Sequence, residues 1–339
     1  MLRRLEELSN LIGVSGDEGG VRRYIKAELA DIDGLDMKTD AMGNLIVHKA
    51  GKGPKVMVAA HMDEVGMIVI GALDNGLIAY GQRGIDSRVV VSKRVLVGDE
   101  MIEGVIGAKA IHLQTAADRK TVLGHSELFV DIGAKDKDDA LKYVKPGDRI
   151  GFATKFKRLG EKRVMGKALD DRVGCAILMQ LLANDYECDF YGVFTVQEEV
   201  GLRGAASMAF ALDPGFAMVL EGTTAADLAE VEGADAVCRV RGGVVLPFMD
   251  GATIYDAELF ELLRNACDKR GIRWQTKTRV AGGTDAGRIH KSRAGVRVCA
   301  AAAPVRYIHS PSSVAAVADC EAVLSAARAF LEELGGDDE

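Results

Sequence analysis

Three short apolar runs in this chain end abruptly at side chains that carry chemistry, and that constrains the fold more than any other feature. KVMVAA leads into His61-Met62-Asp63-Glu64, DFYGVFTV into Gln197-Glu198-Glu199, and FAMVL into Glu221. KVMVAA is apolar on both faces, as a buried sheet strand is. In open α/β sheets, ligands gather beyond the carboxyl ends of the strands. Three strand ends therefore deliver acid or imidazole to one edge.

The texture along the chain predicts two units. Amphipathic helices are expected near 2–12 and 20–32, either side of the turn-rich GVSGDEGG, followed by strands at 45–49 and 55–60. From 68 to 162 short runs such as GLIAYG, RVLVG, MIEGVIG and ELFVDIG alternate with Gly, Asp and Asn, and LDNGLI carries an Asn-Gly hairpin signal. A short helix near 138–143 is the exception there. This predicts a β-rich domain, 68–162, inserted into a discontinuous outer domain of 1–67 plus 163–339. Beyond GKALDDR the α/β alternation resumes, with a helix at 173–182 and a long Ala-rich helix at 313–334 that has Pro311 near its start. The acidic tail GGDDE is expected to fray.

A formal charge of -7 argues against nucleic acid, whose readers present a basic face. The start MLRRLEELSNLIG lacks a secretory apolar core, and no stretch has the apolar length to span a bilayer, so a cytoplasmic home is expected. Six cysteines without CxxC spacing read as reduced core thiols.

Each chemical residue also has a plainer reading. Asp170 and Asp171 could simply complement a helix N-terminus, and Glu198-Glu199 before Val-Gly could open a solvated helix. Glu221 is harder to dismiss, because an unpaired carboxylate at a buried strand end is costly. His48, His112, His125 and His290 are read as structural. His61 differs, because Asp63 at i+2 lies on the same face of an extended chain and can orient its ring. His309, in YIHSPSS, has only a loop before a helix to recommend it. GGTDAG at 282–287 is locally a tight turn with Asp285 near a helix N-cap.

The segments AAHMDEVG, GKALDDRVG, VQEEVGLRGA, GGTDAG and YIHSP, in that order, resemble the cytoplasmic tetrahedron-forming dinuclear metalloaminopeptidases, of the clan of co-catalytic zinc aminopeptidases. With the flanking helices and the insert, the resemblance covers essentially the whole chain. It implies an α/β fold, a mixed-sheet αβα sandwich catalytic domain with an inserted PDZ-like β domain. It also implies that Asp170 bridges two divalent ions, zinc or cobalt with manganese as a further option. His61 and Glu221 would complete one ion, Glu199 and His309 the other, and Glu198 would stay unligated as the general base. Asp63 corresponds to the partner of the first histidine, and the Asp170–Asp171 bond to a position that is cis in relatives. Gly282, Gly283, Thr284 and Asp285 would line the substrate site. Many members have Asp where this chain has Glu221.

Such a centre activates water near neutral pH, Glu198 moves the proton, and the substrates implied are peptides with a free α-ammonium group. The family pattern further implies dimers paired through the insert and built into a homododecamer; the polar loop at 115–120 is either an exposed tip or reaches a neighbour's site. A catalytically silent scaffold is opposed by the presence of every matched ligand and the base, and two other activities stand beside this reading. One is a deacylase of the same clan acting on N-acyl compounds. The other is a glycoside hydrolase, which one tryptophan and 5% aromatics suit poorly.

Overall fold

The computed structural model describes residues 1–280 and 282–335. Helices α1 (Leu2–Asn10) and α2 (Gly19–Leu29) precede strands β1 (Leu35–Thr39), β2 (Leu45–Lys49) and β3 (Lys55–His61). The chain then builds β4 (Met67–Ala72), β5 (Ile78–Gln82), β6 (Arg94–Val97), β7 (Ile102–Ala108), β8 (Leu128–Asp131), the short helix α3 (Lys137–Ala140) and β9 (Arg149–Phe152). It continues through β10 (Lys157–Leu159), β11 (Arg163–Gly166), α4 (Leu169–Leu181), β12 (Asp189–Thr195), α5 (Arg203–Leu212) and β13 (Phe216–Thr224). The last third adds β14 (Val244–Val245), α6 (Ala257–Lys269), β15 (Trp274–Gln275), α7 (Ala286–Ile289), β16 (Arg297–Arg306), β17 (Ser313–Ala316) and α8 (Val317–Gly335).

One mixed sheet runs β1-β2-β12-β3-β13-β16-β17-β11-β10, with β14 and β15 attached beside β16. Its four central strands are mutually parallel, β12 with β3, β3 with β13, and β13 with β16. The period of two along β3 divides its side chains between two cores. Val56, Val58 and Ala60 pack with residues of α1, α4 and α8, whereas Met57 and Ala59 pack with residues of α5 and α7. Helices thus cover both faces, which is what a strand apolar on both sides requires, and the result is an α/β sandwich.

Strands β4-β5-β8-β7-β6-β9 close into a separate six-stranded barrel with its own core, including Val69, Val95, Ile106, Val130 and Phe152. Closure leaves no open sheet edge. The Asn-Gly hairpin joins β4 to β5, with Leu73 N–H donating to the Leu77 carbonyl at 2.8 Å. Barrel pairing ends at Phe152, and β10, inside the 68–162 segment assigned above to the insert, pairs with β11 in the large sheet.

Two local expectations are corrected. Residues 313–316 do not open the last helix; they form β17, antiparallel to β11 and β16, and the helix begins at Val317. Cross-strand pairing there overrides the helical preference of the alanines. Strand FAMVL does not stop at Glu221 but runs to Thr224, because its parallel ladder with β16 continues to the Thr224–Val305 pair. The fraying expected of GGDDE falls, beyond Gly335, outside the described residues. Among the described residues no helix is long and apolar enough to cross a membrane.

Candidate metal centre

The parallel register brings the strand ends to one edge. His61 pairs with Thr195, so the chain leaving β12 turns beside the imidazole and carries Glu198 and Glu199 past it. On the other side of β3, β13 extends beyond the paired segment and presents Glu221. Asp170 comes from the start of α4, where it and Asp171 depart from helical geometry and the Asp170–Asp171 peptide is cis. His309 arrives from the loop between β16 and β17. Gly222 admits Asp170 closely: a Cβ there would lie 3.0 Å from the Asp170 Cα.

His61 Nε2 lies 3.2 Å from Glu221 Oε1 and 3.4 Å from Asp170 Oδ1. His309 Nε2 lies 3.5 Å from Asp170 Oδ2 and 3.3 Å from Glu199 Oε2. The two oxygens of Asp170 therefore face two different imidazoles. Ligand atoms of His61, Asp170 and Glu199 lie within 4.8 Å of one another, as do those of His61, Asp171 and Glu221. The structure thus contains two clusters able to hold a metal ion. Asp171 was not singled out as a ligand in the sequence, and its oxygens already accept from the backbone N–H groups of Gly174, at 2.8 Å, and His61, at 3.3 Å.

Asp63 supports the cluster from behind. It is fully buried, its Oδ1 is 3.4 Å from His61 Nδ1, and it accepts from the backbone N–H of Glu198 at 2.9 Å and of Glu199 at 3.1 Å. Ser15 Oγ donates to it at 2.6 Å. One carboxylate thereby fixes both the imidazole and the turn carrying the paired glutamates. The role of Ser15 depends on a contact across 48 positions of the chain, and no local pattern announces it.

The electrostatics are those of an open cage. Burial pushes the carboxyls of Glu198 and Glu221 well up, and that of Glu199 up to about 7. Burial acts the same way on Asp170, but hydrogen bonds from His309 and His61 outweigh it and hold the group low. His309, hydrogen-bonded to Asp170, is pushed up to about 9. One buried oxygen each on Asp170, Glu199 and Glu221 has no hydrogen-bond partner. Buried carboxylate oxygens are costly unless paired or coordinating, so these residues fit a cation, and the mixed imidazole–carboxylate set suits zinc, cobalt or manganese. Ala168, Gln197 and His309 hold left-handed backbone at φ 52, 57 and 56, conformations that non-glycine residues keep mainly where surrounding structure enforces them.

A cavity of 470 Å³ opens onto the cluster, lined by Asp170, Glu198, Glu199, Glu221 and His309 on one side and by Gly282, Gly283 and Thr284 on another. Asp285 is not in its wall; it is buried behind, accepting from Thr195 Oγ1 at 2.6 Å. The other histidines stay away from the cluster. His48 pairs with Asp189, His125 bridges Tyr80 and the Ile85 carbonyl, His290 bonds the Ala286 carbonyl, and His112 is exposed.

A parallel-centred α/β sheet that gathers two imidazoles and several carboxylates at its carboxyl edge, beneath a cavity, defines a metal-dependent hydrolase. Comparison with known proteins narrows the class. The M42 glutamyl aminopeptidase family model matches residues 43–325. The chain is 31% identical to the lysyl aminopeptidase of Pyrococcus furiosus over 95% of this chain and 94% of that one. It superposes on the TET aminopeptidase of Thaumarchaeota archaeon SCGC AB-539-E09 with a TM-score of 0.94 at 31% identity, covering 98% of this chain and 95% of that one. On the TET1 peptidase of Pyrococcus horikoshii the TM-score is 0.87 at 31% identity, covering 98% and 99%. The chain belongs to the M42 family, and it is a metal-dependent aminopeptidase.

Proposed function

We propose that the enzyme removes N-terminal residues from peptides using two divalent cations, with Asp170 shared between them. His61 and Glu221 complete one site, Glu199 and His309 the other. The observation that carries this reading is the placement of the two Asp170 oxygens against two separate imidazoles. Bound there, the ions would make water more acidic and polarise the scissile carbonyl.

The protein's own part in the chemistry falls to Glu198. It is nearly buried, lines the cavity, and its carboxylate takes no hydrogen bond or ion pair from the described residues. With its basicity raised by burial, its carboxylate can accept a proton from water at the cavity floor and pass it to the leaving amine nitrogen. Asp63 keeps the Glu198 backbone in place through this exchange.

The carboxylate-rich wall suits the substrate's α-ammonium group. Apart from His309, Lys277 is the one cation lining the same cavity, and no described residue pairs with it. Its backbone is fixed nearby, Thr278 N–H bonding the Val237 carbonyl at 2.9 Å. This favours an acidic first residue, as the family's glutamyl name does, and disfavours a lysyl substrate.

Self-association through a PDZ-like insert, in dimers built into a homododecamer, belongs to the same reading. Solved relatives are described as a dodecamer and as forming a tetrahedron or an octahedral shell. Ile111, Leu113 and Val122, on the excursion between β7 and β8, are 70%, 61% and 63% exposed in the single chain, a costly display unless covered. Thr115, Arg119 and Lys120 in the loop between them are exposed as well. A cytoplasmic home fits six buried, unpaired cysteines.

Chelation followed by reloading with zinc, cobalt or manganese tests the proposal, using glutamyl, leucyl and lysyl anilides beside their N-acetylated forms. Activity should vanish and return with metal, and the free amines should be cleaved in the order glutamyl, leucyl, lysyl. Cleavage of the acetylated forms instead would support the deacylase. Hydrolysis unaffected by chelation would remove the metal mechanism.

A further inference from the structure

A second cavity, of 360 Å³, adjoins the centre from the barrel side. Glu199 lines both cavities, so this one carboxylate of the cluster stands between two spaces. The first takes the amino-terminal residue in the reading above. The second has no assigned occupant.

Its walls come from two parts of the molecule. Val14 and Ser15 belong to the turn before α2, whereas Ile68, Gln82 and Arg83 belong to the barrel. The apolar part of the wall comes from Val14, Val65, Met67, Ile68 and Val200. Two arginines stand in it. Arg149 is committed, donating to the carbonyls of Ser15 and Gly147 and so clamping the turn against the barrel. Arg83 is different: it is exposed, and no described residue bonds or pairs with it.

The backbone that carries Arg83 is fixed beside the reacting centre. Gln82 Oε1 accepts from Ile85 N–H at 3.1 Å, closing the turn, and His125 Nε2 contacts the Ile85 carbonyl at 2.9 Å. A Cβ placed on Gly84 would lie 3.7 Å from His309 Nδ1. Arg83 therefore projects from a turn beside a proposed ligand, and its long side chain can reach a group one residue beyond the scissile bond, a span of roughly 3.3–3.6 Å along an extended chain.

We infer that this cavity between barrel and sandwich binds the residue following the scissile bond, the apolar part of its wall taking the side chain and Arg83 taking the terminal carboxylate when the substrate is a dipeptide. The inference rests on the aminopeptidase reading. It gives the barrel a place in substrate recognition within a single subunit. The chemistry is directional: a planar guanidinium matches a carboxylate, and the only carboxylate lining this space is Glu199, which the metal cluster occupies.

The test compares a glutamyl-leucine dipeptide with its C-terminal amide, on the metal-loaded enzyme and on Arg83→Glu and Arg83→Lys. The quantity read is the ratio of kcat/KM for the free carboxylate to that for the amide, which a general loss of folded enzyme leaves unmoved. Wild type should favour the carboxylate by about two- to fivefold, Arg83→Lys should keep only part of that preference because it loses the planar fork, and Arg83→Glu should erase or invert it. A ratio that does not respond to Arg83→Glu overturns the inference while leaving the aminopeptidase reading intact. If neither dipeptide nor any of the glutamyl, leucyl and lysyl anilides is hydrolysed by the metal-loaded enzyme, the aminopeptidase reading falls, and the inference falls with it.

Discussion

Two buried charge clusters meet at adjacent residues of the chain, and they are built on opposite terms. Asp63 and Asp171 face the metal centre, while their neighbours Glu64 and Arg172 turn away into a second cluster with Lys167. There Lys167 Nζ donates to both oxygens of Glu64, at 2.7 and 2.8 Å, and Arg172 Nη2 approaches Glu64 at 3.5 Å. Gly13 N–H also donates to Glu64 at 2.9 Å. In that cluster the carboxylate is saturated by protein donors. In the metal centre buried carboxylate oxygens are left without partners, whereas in the other cluster it is two nitrogens of Arg172, and no carboxylate oxygen, that lack them. The lesson is that burial and charge alone do not mark a site; what marks it is charge whose neutralisation the protein leaves to something else.

The largest expected break in this contrast is Glu198→Gln. Removing the proton acceptor and no ligand should lower kcat by about 10²- to 10⁴-fold, with metal content by elemental analysis near wild type. Retained turnover would mean that Glu198 is not the base.

Lys167→Met probes the closed cluster. It strands a buried Glu64 and should cost about 3–5 kcal/mol of stability in urea unfolding; a near-neutral change would show that Arg172 and the Gly13 amide suffice for that carboxylate.

Asp63→Asn probes the metal side of that junction. It keeps the shape and alters the partner of His61, so metal affinity should weaken by about 10- to 100-fold while the unfolding midpoint of the metal-free protein changes little. Unaltered affinity in a chelator competition would deny Asp63 its supporting part.

The smallest effect is one of pH. In the metal-free protein His309 is raised from 6.5 to about 9, so the stability it contributes is full below about 6.5 and is lost as pH rises through 9. Glu199, raised from 4.5 to about 7, binds its proton more tightly folded than unfolded and works in the same direction between those values. Stability of the chelated protein should therefore decline from about pH 4.5 to 9. Metal loading requires neutral imidazoles and ionised carboxylates and should flatten that decline. Parallel pH profiles with and without metal would argue against these residues as ligands.

Much of this was legible in the sequence for a simple reason. Continuous apolar runs that lead into His61, Glu198-Glu199 and Glu221 announce both a covered sheet and its chemical edge, since charge at a buried strand is costly without cause. Asp170 and His309 were legible only through the order of motifs, because locally each has an ordinary loop or cap reading. What stayed hidden depends on tertiary contact. Ser313–Ala316 has helical composition, and only its pairing with β11 and β16 makes it a strand. Ser15, Lys277 and Arg83 have unremarkable neighbours in sequence, and their positions become informative only once cavities exist.

The barrel is spliced between His61 and the other proposed ligands. Its first strand begins at Met67, just past the loop bearing His61 and Asp63, and after its last strand the chain passes through β10 and β11 straight into Lys167 and Asp170. Excising it would therefore not resemble removing an appendage: both severed ends would fall close to proposed coordinating side chains, so a sandwich expressed alone would have to rebuild that junction before it could gather them.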